Sequence, residues 1–268
     1  MILQFGPRVV EVEFEDPSTA RDAHDVLSAW QVRKAPDDTF AVQTGTTTHD
    51  YRRNGEHWFS SDKNVHPLPH LLRALWGAIA LDFGPCLHAA LLSSNSRPVL
   101  VIGTSGQGKS TLARLLVERG LDYLTDEISY CDDSCAEWFG VGKPLSYKAS
   151  HRLFPIESLG YGPFSTPDKG DIFYWNPEEI PLDSRGRANG DLLVVFPEFD
   201  PSAETSTVEL RQAALIHRSL THFFDTGQTL EERASWLLRA FGDAEGICLH
   251  YRDAEQAADL IRDRVSRD

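Results

Sequence analysis

Residues 103 to 110 read Gly103-Thr104-Ser105-Gly106-Gln107-Gly108-Lys109-Ser110, and this stretch fits the pattern G-x-x-x-x-G-K-[ST]. In that pattern the glycines let the backbone curl, so that several N–H groups point at one phosphate. Lys109 can reach the outer phosphates of a nucleotide, and the Ser110 hydroxyl can hold a magnesium ion. The stretch therefore predicts a nucleotide-binding loop, whose residues run from Gly103 to Thr111.

The residues on either side of the loop support this interpretation. The apolar run Val99-Leu100-Val101-Ile102 predicts a buried strand before the loop, and Ser110 to Arg119 predicts a helix that Gly120 ends. A phosphate would then lie at a helix N-terminus, where free N–H groups and the helix dipole favour negative charge. The alternative is an ordinary loop of glycine and serine between a strand and a helix. The order of strand, loop, lysine and helix favours the nucleotide site.

Composition sets limits on the class of protein. A chain of 268 residues is long enough for one large domain, or for a core domain with a small appendage. The net charge of −14 argues against broad binding to nucleic acid and against docking on anionic membrane lipid. The first residues do not fit a signal peptide, and the apolar helix candidate at 71–83 is too short to span a bilayer. We therefore expect a cytoplasmic protein, whose four cysteines are reduced thiols.

The hydropathy pattern predicts two parts. Residues 1–65 alternate polar and apolar positions around one helix candidate at 20–30, which is typical of a small strand-rich appendage. Residues 66–268 form the main domain, which contains the loop. Its first half predicts a helix at 70–82, strands at 86–93 and 98–102, a helix at 109–119 and a strand at 121–125. Strands and helices in this order indicate a mixed α/β fold.

The second half of the main domain has a more varied pattern. Residues 134–190 are rich in glycine, proline and turn residues, and predict a long irregular segment with short strands at best. A strand at 192–196 is expected to end at Pro197. Helices at 209–225 and 229–240, a strand at 246–251 and a helix at 253–265 complete the expected elements.

The pair Asp126-Glu127 follows the predicted strand at 121–125. Phosphoryl transfer with magnesium needs a carboxylate near the loop serine, and such a group usually comes from the end of a neighbouring strand. The pair lies only one helix and one short strand after Lys109, which is unusually early for nucleotide hydrolases with such a loop. A solvated turn or a helix N-cap is the alternative. The early position favours a functional pair.

His88 lies in the segment Leu87-His88-Ala89-Ala90, within the strand predicted before the loop strand. A kinase that phosphorylates a hydroxyl needs a proton acceptor near the attacking oxygen. If the two strands form a hairpin, His88 could approach Asp126, orient it and share its proton. A single histidine in an apolar strand is more often a core residue, so this role depends on the arrangement around the loop.

Basic residues after the acidic pair could clamp the transferred phosphate or contact an acidic substrate. Lys143 and Lys148 lie in one such segment, and Lys169 and Arg185 lie in loops that contain glycine. Solvated surface charge is the alternative for each of them. Lys148 and Arg185 are the two preferred candidates.

Taken together, these features resemble the HPr kinase/phosphorylase family, and especially its smaller relatives that include kinases of lasso-peptide precursors. The resemblance runs from about residue 68 to the C-terminus. It depends on the loop, on Leu87-His88-Ala89-Ala90 and on Leu124-Thr125-Asp126-Glu127. Further matches are Lys143 to Lys148, Val194 to Asp200 and His250-Tyr251.

The resemblance implies a fold and a set of roles. The fold would be the P-loop kinase core that HPr kinase shares with phosphoenolpyruvate carboxykinase. ATP and Mg²⁺ would be used, with Ser110 and an acidic residue of the pair as metal ligands, and with Asp126 as general base assisted by His88. Glu127 stands where the bifunctional enzymes carry Asp. The chain also lacks a clear copy of the longer downstream signature of true HPr kinases, which argues against HPr as substrate and against a phosphorylase activity.

The expected reaction is therefore transfer of the γ-phosphoryl group of ATP to a hydroxyl, with a serine of a peptide or small protein as acceptor. A lasso-peptide precursor is one such acceptor. Two alternatives remain: a kinase for a small-molecule hydroxyl such as free serine, and a non-catalytic module that senses ATP. Relatives form hexamers or smaller units, so a homo-oligomer is compatible with the resemblance and the assembly state stays open.

Overall fold

The chain forms a mixed α/β structure with several sheets. The computed structural model describes residues 1–5, 8–95, 97–132, 134–149, 153–167, 170–177 and 187–266. The strands of this part are β1 (Ile2–Phe5), β2 (Arg8–Phe14), β3 (Asp38–Thr44), β4 (Thr48–Arg53), β5 (Glu56–Asp62), β6 (Leu87–Ser94), β7 (Arg97–Ile102), β8 (Asp122–Thr125), β9 (Ile128–Cys131), β10 (Glu137–Gly140), β11 (Leu145–Lys148), β12 (Tyr161–Thr166), β13 (Gly170–Trp175), β14 (Arg187–Asn189), β15 (Leu193–Phe199), β16 (Ser206–Leu210) and β17 (Glu245–Tyr251).

The α-helices of the same part are α1 (Pro17–Leu27), α2 (Pro67–Asp82), α3 (Lys109–Glu118), α4 (Gln212–Ser219), α5 (Leu230–Ala240) and α6 (Ala254–Val265). Short 3₁₀ turns follow α1 at Ser28–Trp30 and α4 at Leu220–His222, and a third lies at Ile156–Ser158. No helix among the described residues is both long and apolar enough to cross a membrane.

Contacts between residues divide the chain into two units. The first unit contains Met1–Ile79 and Pro144–Glu179, and the second contains Ala80–Lys143 and Ile180–Asp268. This division differs from the expected boundary at residue 65. The first unit gains a later segment because β11, β13 and β12 form a sheet of their own and α1 contacts β12. The order of elements in the sequence does not show that residues 144–179 rejoin the first unit.

The first unit contains a five-stranded sheet in the order β1-β2-β3-β4-β5. α1 connects the parallel strands β2 and β3, and the other neighbours in this sheet are antiparallel. Asp16 caps α1 through a hydrogen bond from Thr19 N–H to Asp16 Oδ2 at 2.8 Å. Large side chains such as Phe40 and Tyr51 are fully buried in this unit.

The second unit contains a larger sheet in the order β14-β10-β9-β6-β7-β15-β17-β16, with β8 paired to β6. β7 lies at its centre, antiparallel to β6 and parallel to β15. Because β7 is covered on both faces, Val99 to Ile102 are fully buried, as the continuous apolar run predicted. The hairpin of β6 and β7, which the role of His88 required, is confirmed by pairs from Ala89↔Ile102 to Ser94↔Arg97.

Several expected elements differ from those observed. β15 does not end at Pro197 but continues to Phe199, paired with β17. Its pairing with β7 stops at Val195, so Pro197 lies where one edge of β15 has no partner strand. The helix expected from 209 is also wrong at its start, because residues 206–210 form edge strand β16 and α4 begins at Gln212. The segment 134–190 contains more ordered strands than expected, β10 to β14.

Candidate active site

The Gly103–Ser110 loop connects the end of β7 to the start of α3, as the pattern predicted. Gly106 and Gly108 have φ values of 91° and 90°, a backbone conformation that favours glycine. The side chain of Gln107 turns back into the loop, where Thr104 N–H donates to Gln107 Oε1 at 2.7 Å. Gly108 is the N-cap residue of α3 and offers no side-chain acceptor to the first helical turn. The loop thus opens on a helix N-terminus, where an anion is favoured.

Tyr251 supports the loop from the end of β17. Its hydroxyl donates to Gln107 O at 3.0 Å, and its side chain is almost fully buried. A Cβ atom added to Gly108 would lie 2.0 Å from the Tyr251 hydroxyl oxygen. Glycine is therefore required at position 108 for space as well as for backbone conformation. The sequence placed Tyr251 in a matching segment, but it gave no role to this residue.

Lys109 and Ser110 begin α3 and extend towards different partners. Lys109 Nζ donates to Gly103 O at 2.8 Å, and burial lowers the pKa of this ammonium from its ordinary value. Ser110 Oγ lies 2.9 Å from Asp126 Oδ2 and 3.1 Å from Asp126 Oδ1. The half-buried Thr111 follows on the helix. The loop serine and the first acidic residue of the pair are therefore in direct contact.

The acidic pair lies directly after β8, in line with β9. Glu127 O accepts a hydrogen bond from Ala89 N–H at 3.1 Å, so the pair runs beside β6. Asp126 is 4% exposed, and burial raises the pKa of its carboxyl to about 6, although the charges of Lys143 and Lys109 oppose this shift. Such a carboxylate is ionised at neutral pH and holds a proton more readily than an exposed aspartate.

Lys143 lies beside the acidic pair, although the sequence favoured Lys148 and Arg185. It is 5% exposed, and its ammonium forms an ion pair with Glu127. Burial opposes the charge of Lys143, but Glu127 and Asp126 outweigh this effect and raise the pKa of the ammonium. The ammonium groups of Lys109 and Lys143 and the carboxylates of Asp126 and Glu127 therefore lie close together beside the loop. The signal that could have identified Lys143 was its proximity in sequence to the pair.

His88 lies on β6 beside this group, but the structure does not show the expected contact. Among the described residues, His88 forms no hydrogen bond with Asp126; its ring packs edge-on against Phe224, with centroids 5.6 Å apart. Burial, followed by the charge of Lys109, lowers the pKa of His88 to about 4. The imidazole is therefore neutral at pH 7, and assistance to Asp126 stays a prediction.

The structure gives no support for a site role of two predicted cations, Lys148 and Arg185. Lys148 is exposed at the end of β11, in the first unit, while the loop and the acidic pair belong to the second. Arg185 lies outside the described residues. Their roles stay predictions.

The sequence also gave no indication of His222, which follows α4 and interacts electrostatically with Lys109. Nothing in its local pattern marks it.

Two groups of side chains carry atoms of the kind that bind metal ions. Ser110, Asp126 and Glu127 offer the oxygen donors that Mg²⁺ prefers, and the contact of Ser110 with Asp126 fits a shared ion. A second group consists of Glu198, Cys248 and His250. There the guanidinium of Arg218 contacts both Glu198 and Cys248, so a cation already balances the charge of the carboxylate. This second group is a hydrogen-bonded network rather than an open metal site.

Comparison with known proteins adds little to this geometry. No family model matches the chain, and no curated protein matches it. A solved structure that does match is the HPr(Ser) kinase/phosphatase from Coxiella burnetii, at 16% sequence identity. The match covers 68% of this chain and 88% of that chain, with a TM-score of 0.32. At that TM-score the match establishes neither the fold nor the activity of this chain.

Proposed function

We propose that this protein is an ATP- and magnesium-dependent kinase, which transfers the γ-phosphoryl group to a serine hydroxyl of a peptide or small protein. The observation that carries the proposal is the contact of Ser110 with Asp126 at the start of α3, next to the buried Lys109. The second unit would then be a P-loop core of the HPr kinase and phosphoenolpyruvate carboxykinase type. The early position of the acidic pair and the hairpin of β6 and β7 support this assignment.

Each residue has a role that follows from its position. The loop N–H groups and Lys109 bind the β- and γ-phosphates, and Lys109 exchanges Gly103 O for a phosphate oxygen. Ser110, Asp126 and Glu127 are the residues that would hold magnesium. When bound, this ion supplies neutralisation of phosphate charge. Lys143 holds Glu127 in place by an ion pair, and its positive charge offsets the repulsion between the carboxylates of Asp126 and Glu127.

Asp126 is the proposed proton acceptor for the attacking hydroxyl. General bases work best when their pKa lies near the working pH, and burial brings the pKa of Asp126 to about 6. A module that only senses ATP needs no such base. The buried Asp126 in contact with Ser110 therefore supports a kinase over a sensor.

The test begins with calorimetry of MgATP binding to the wild-type protein and to Lys109→Ala. We expect binding by the wild type and its loss in the variant. The protein is then incubated with radiolabelled ATP and a library of serine-containing peptides, and in parallel with free serine, and the products are identified by mass spectrometry.

Asp126→Asn should abolish transfer and keep nucleotide binding. Asp122→Asn is the matched control, because Asp122 begins the strand β8 that Asp126 follows and contacts Ser93 rather than Ser110. Full transfer by Asp126→Asn would exclude it as the base. Phosphorylated free serine without phosphorylated peptide would identify a small-molecule kinase, and tight binding without any product would identify a sensor.

A further inference from the structure

The edge of β6 beyond the end of β7 is occupied by another part of the chain. β7 ends at Ile102, which lies opposite Ala89. Two residues from Ala89, towards the start of β6, Leu87 forms an antiparallel bridge with Phe223. The other edge of Leu87 is already paired with Ser129 of β9. The segment 222–224 therefore continues the line of β7 at the point where the chain leaves it for the Gly103–Ser110 loop.

The register of this bridge brings two histidines together. His222 ends the 3₁₀ turn Leu220–His222, which contacts β6, and its charge acts on His88, so the two side chains lie near each other. Phe224 N–H donates to the backbone O of Cys86 at 2.9 Å, which fixes the same alignment from the other side. Directly opposite residues of an antiparallel pair point to the same face. Leu87 and Phe223 thus pack together into the apolar core, and His88, the next residue of β6, points to the other face of the strand.

Both imidazoles are available to a ligand. Among the described residues, neither His88 nor His222 forms a hydrogen bond within the protein, and both are half-buried. Burial, followed by the charge of Lys109, lowers the pKa of His222 from its ordinary value, so this ring is also neutral at pH 7. A neutral imidazole carries one N–H donor and one nitrogen acceptor. Both rings interact electrostatically with Lys109, so each could offer its N–H to an anion bound beside this residue.

We propose that His222 donates a hydrogen bond to the γ-phosphoryl group of bound ATP. This inference rests on the proposed binding of ATP. It follows from the position of His222 in line with β7, where the loop begins, and from its proximity to Lys109, the residue that reaches the outer phosphates. Contact with the transferred group would make His222 a catalytic residue. ADP lacks the γ-phosphoryl group, so this contact is absent from the complex with ADP.

The experiment compares two nucleotides on three variants. Calorimetry gives the Kd of MgADP and of the magnesium complex of a non-hydrolysable ATP analogue for wild type, His222→Leu and His222→Gln. Leucine fills the half-buried space without a donor, and glutamine keeps an N–H donor. His217→Ala is the control, because His217 lies on α4 five positions earlier and is exposed. Circular dichroism checks that each variant is folded.

We expect His222→Leu to weaken binding of the ATP analogue about tenfold, as for loss of a hydrogen bond to a charged group, and to leave MgADP binding unchanged. His222→Gln should recover most of the loss, and His217→Ala should bind both nucleotides like wild type. Equal binding of the analogue by His222→Leu and wild type would overturn the inference, as would a similar loss for both nucleotides. If the wild type binds neither nucleotide, the proposed function itself fails.

Discussion

Replacement of Gly108 by alanine tests the contact between the loop and the end of β17. The new Cβ would lie 2.0 Å from the Tyr251 hydroxyl oxygen and 3.4 Å from its Cζ. The hydroxyl must therefore move, and its hydrogen bond to Gln107 O must break. In Tyr251→Phe the hydroxyl is absent, and the remaining ring carbon lies at an ordinary contact distance. The Tyr251 hydroxyl therefore determines how far Gly108→Ala lowers the free energy of unfolding.

The magnitude follows from three effects. A left-handed backbone at a non-glycine residue costs about 1 to 2 kcal/mol. The lost hydrogen bond costs about 1 kcal/mol, and overpacking of a buried contact costs about 1 to 3 kcal/mol. Gly108→Ala should therefore lower the free energy of unfolding by about 4 kcal/mol in the wild type. In the Tyr251→Phe background only the backbone cost of about 1 to 2 kcal/mol remains.

The assay is urea denaturation of the four proteins of this double-mutant cycle, followed by tryptophan fluorescence. Gly106→Ala is the matched control within the loop. Gly106 has a φ of 91° but no atom within 4 Å of an added Cβ, so its cost should be about 1 to 2 kcal/mol in both backgrounds. If Gly108→Ala costs the same with Tyr251 and with phenylalanine, the close approach does not exist in the protein.

Two further predictions concern the charges below the loop. The folded-state pKa of Asp126 is raised to about 6 from 3.8, so the folded protein binds a proton more tightly than the unfolded chain, and stability from this group is lost as pH rises from about 4 to 6. Asp126→Asn should remove up to about 3 kcal/mol of this fall, measured by urea denaturation at pH 4.5 and pH 7.5; an unchanged pH dependence would contradict the raised pKa. Lys143→Met removes the largest charge that lowers the pKa of Asp126, so the midpoint of the pH profile for phosphoryl transfer should move upward. A midpoint that stays constant would show that Lys143 does not act on the base.

Some elements were predictable because neighbouring residues alone decide them. The run Val99 to Ile102 and the glycine pattern predicted β7, the loop and the start of α3. The ends of α6 were also close to expectation, since Asp253 caps this helix with hydrogen bonds from Glu255 N–H and Gln256 N–H. Such signals depend on local backbone conformation, which the sequence expresses directly.

Other elements were mistaken because distant pairing decides them. A helix was expected from residue 209, but Ser206–Leu210 pairs with β17 as an edge strand and α4 begins at Gln212. Pro197 looked like the end of a strand and proved compatible with β15, because β7 no longer pairs there. In both cases pairing with β17, which lies far away in the chain, outweighed the local preference.

The candidate site shows the same division. The sequence identified Lys109, Ser110 and the acidic pair, because phosphate and magnesium chemistry require these residue types at this spacing. It preferred Lys148 to Lys143, although Lys143 lies nearer the acidic pair in the sequence. Only the structure shows that Lys143 is buried and pairs with Glu127, whereas Lys148 is exposed.

The sequence by itself determined the loop, its flanking strand and helix, and the chemical character of the acidic pair. Only the tertiary structure placed Tyr251 against Gly108 and Phe223 opposite Leu87, because these contacts join segments separated by more than a hundred residues. Local composition cannot encode such contacts one residue at a time. They arise when strand pairing in the central sheet brings the ends of β6, β7 and β17 to one place.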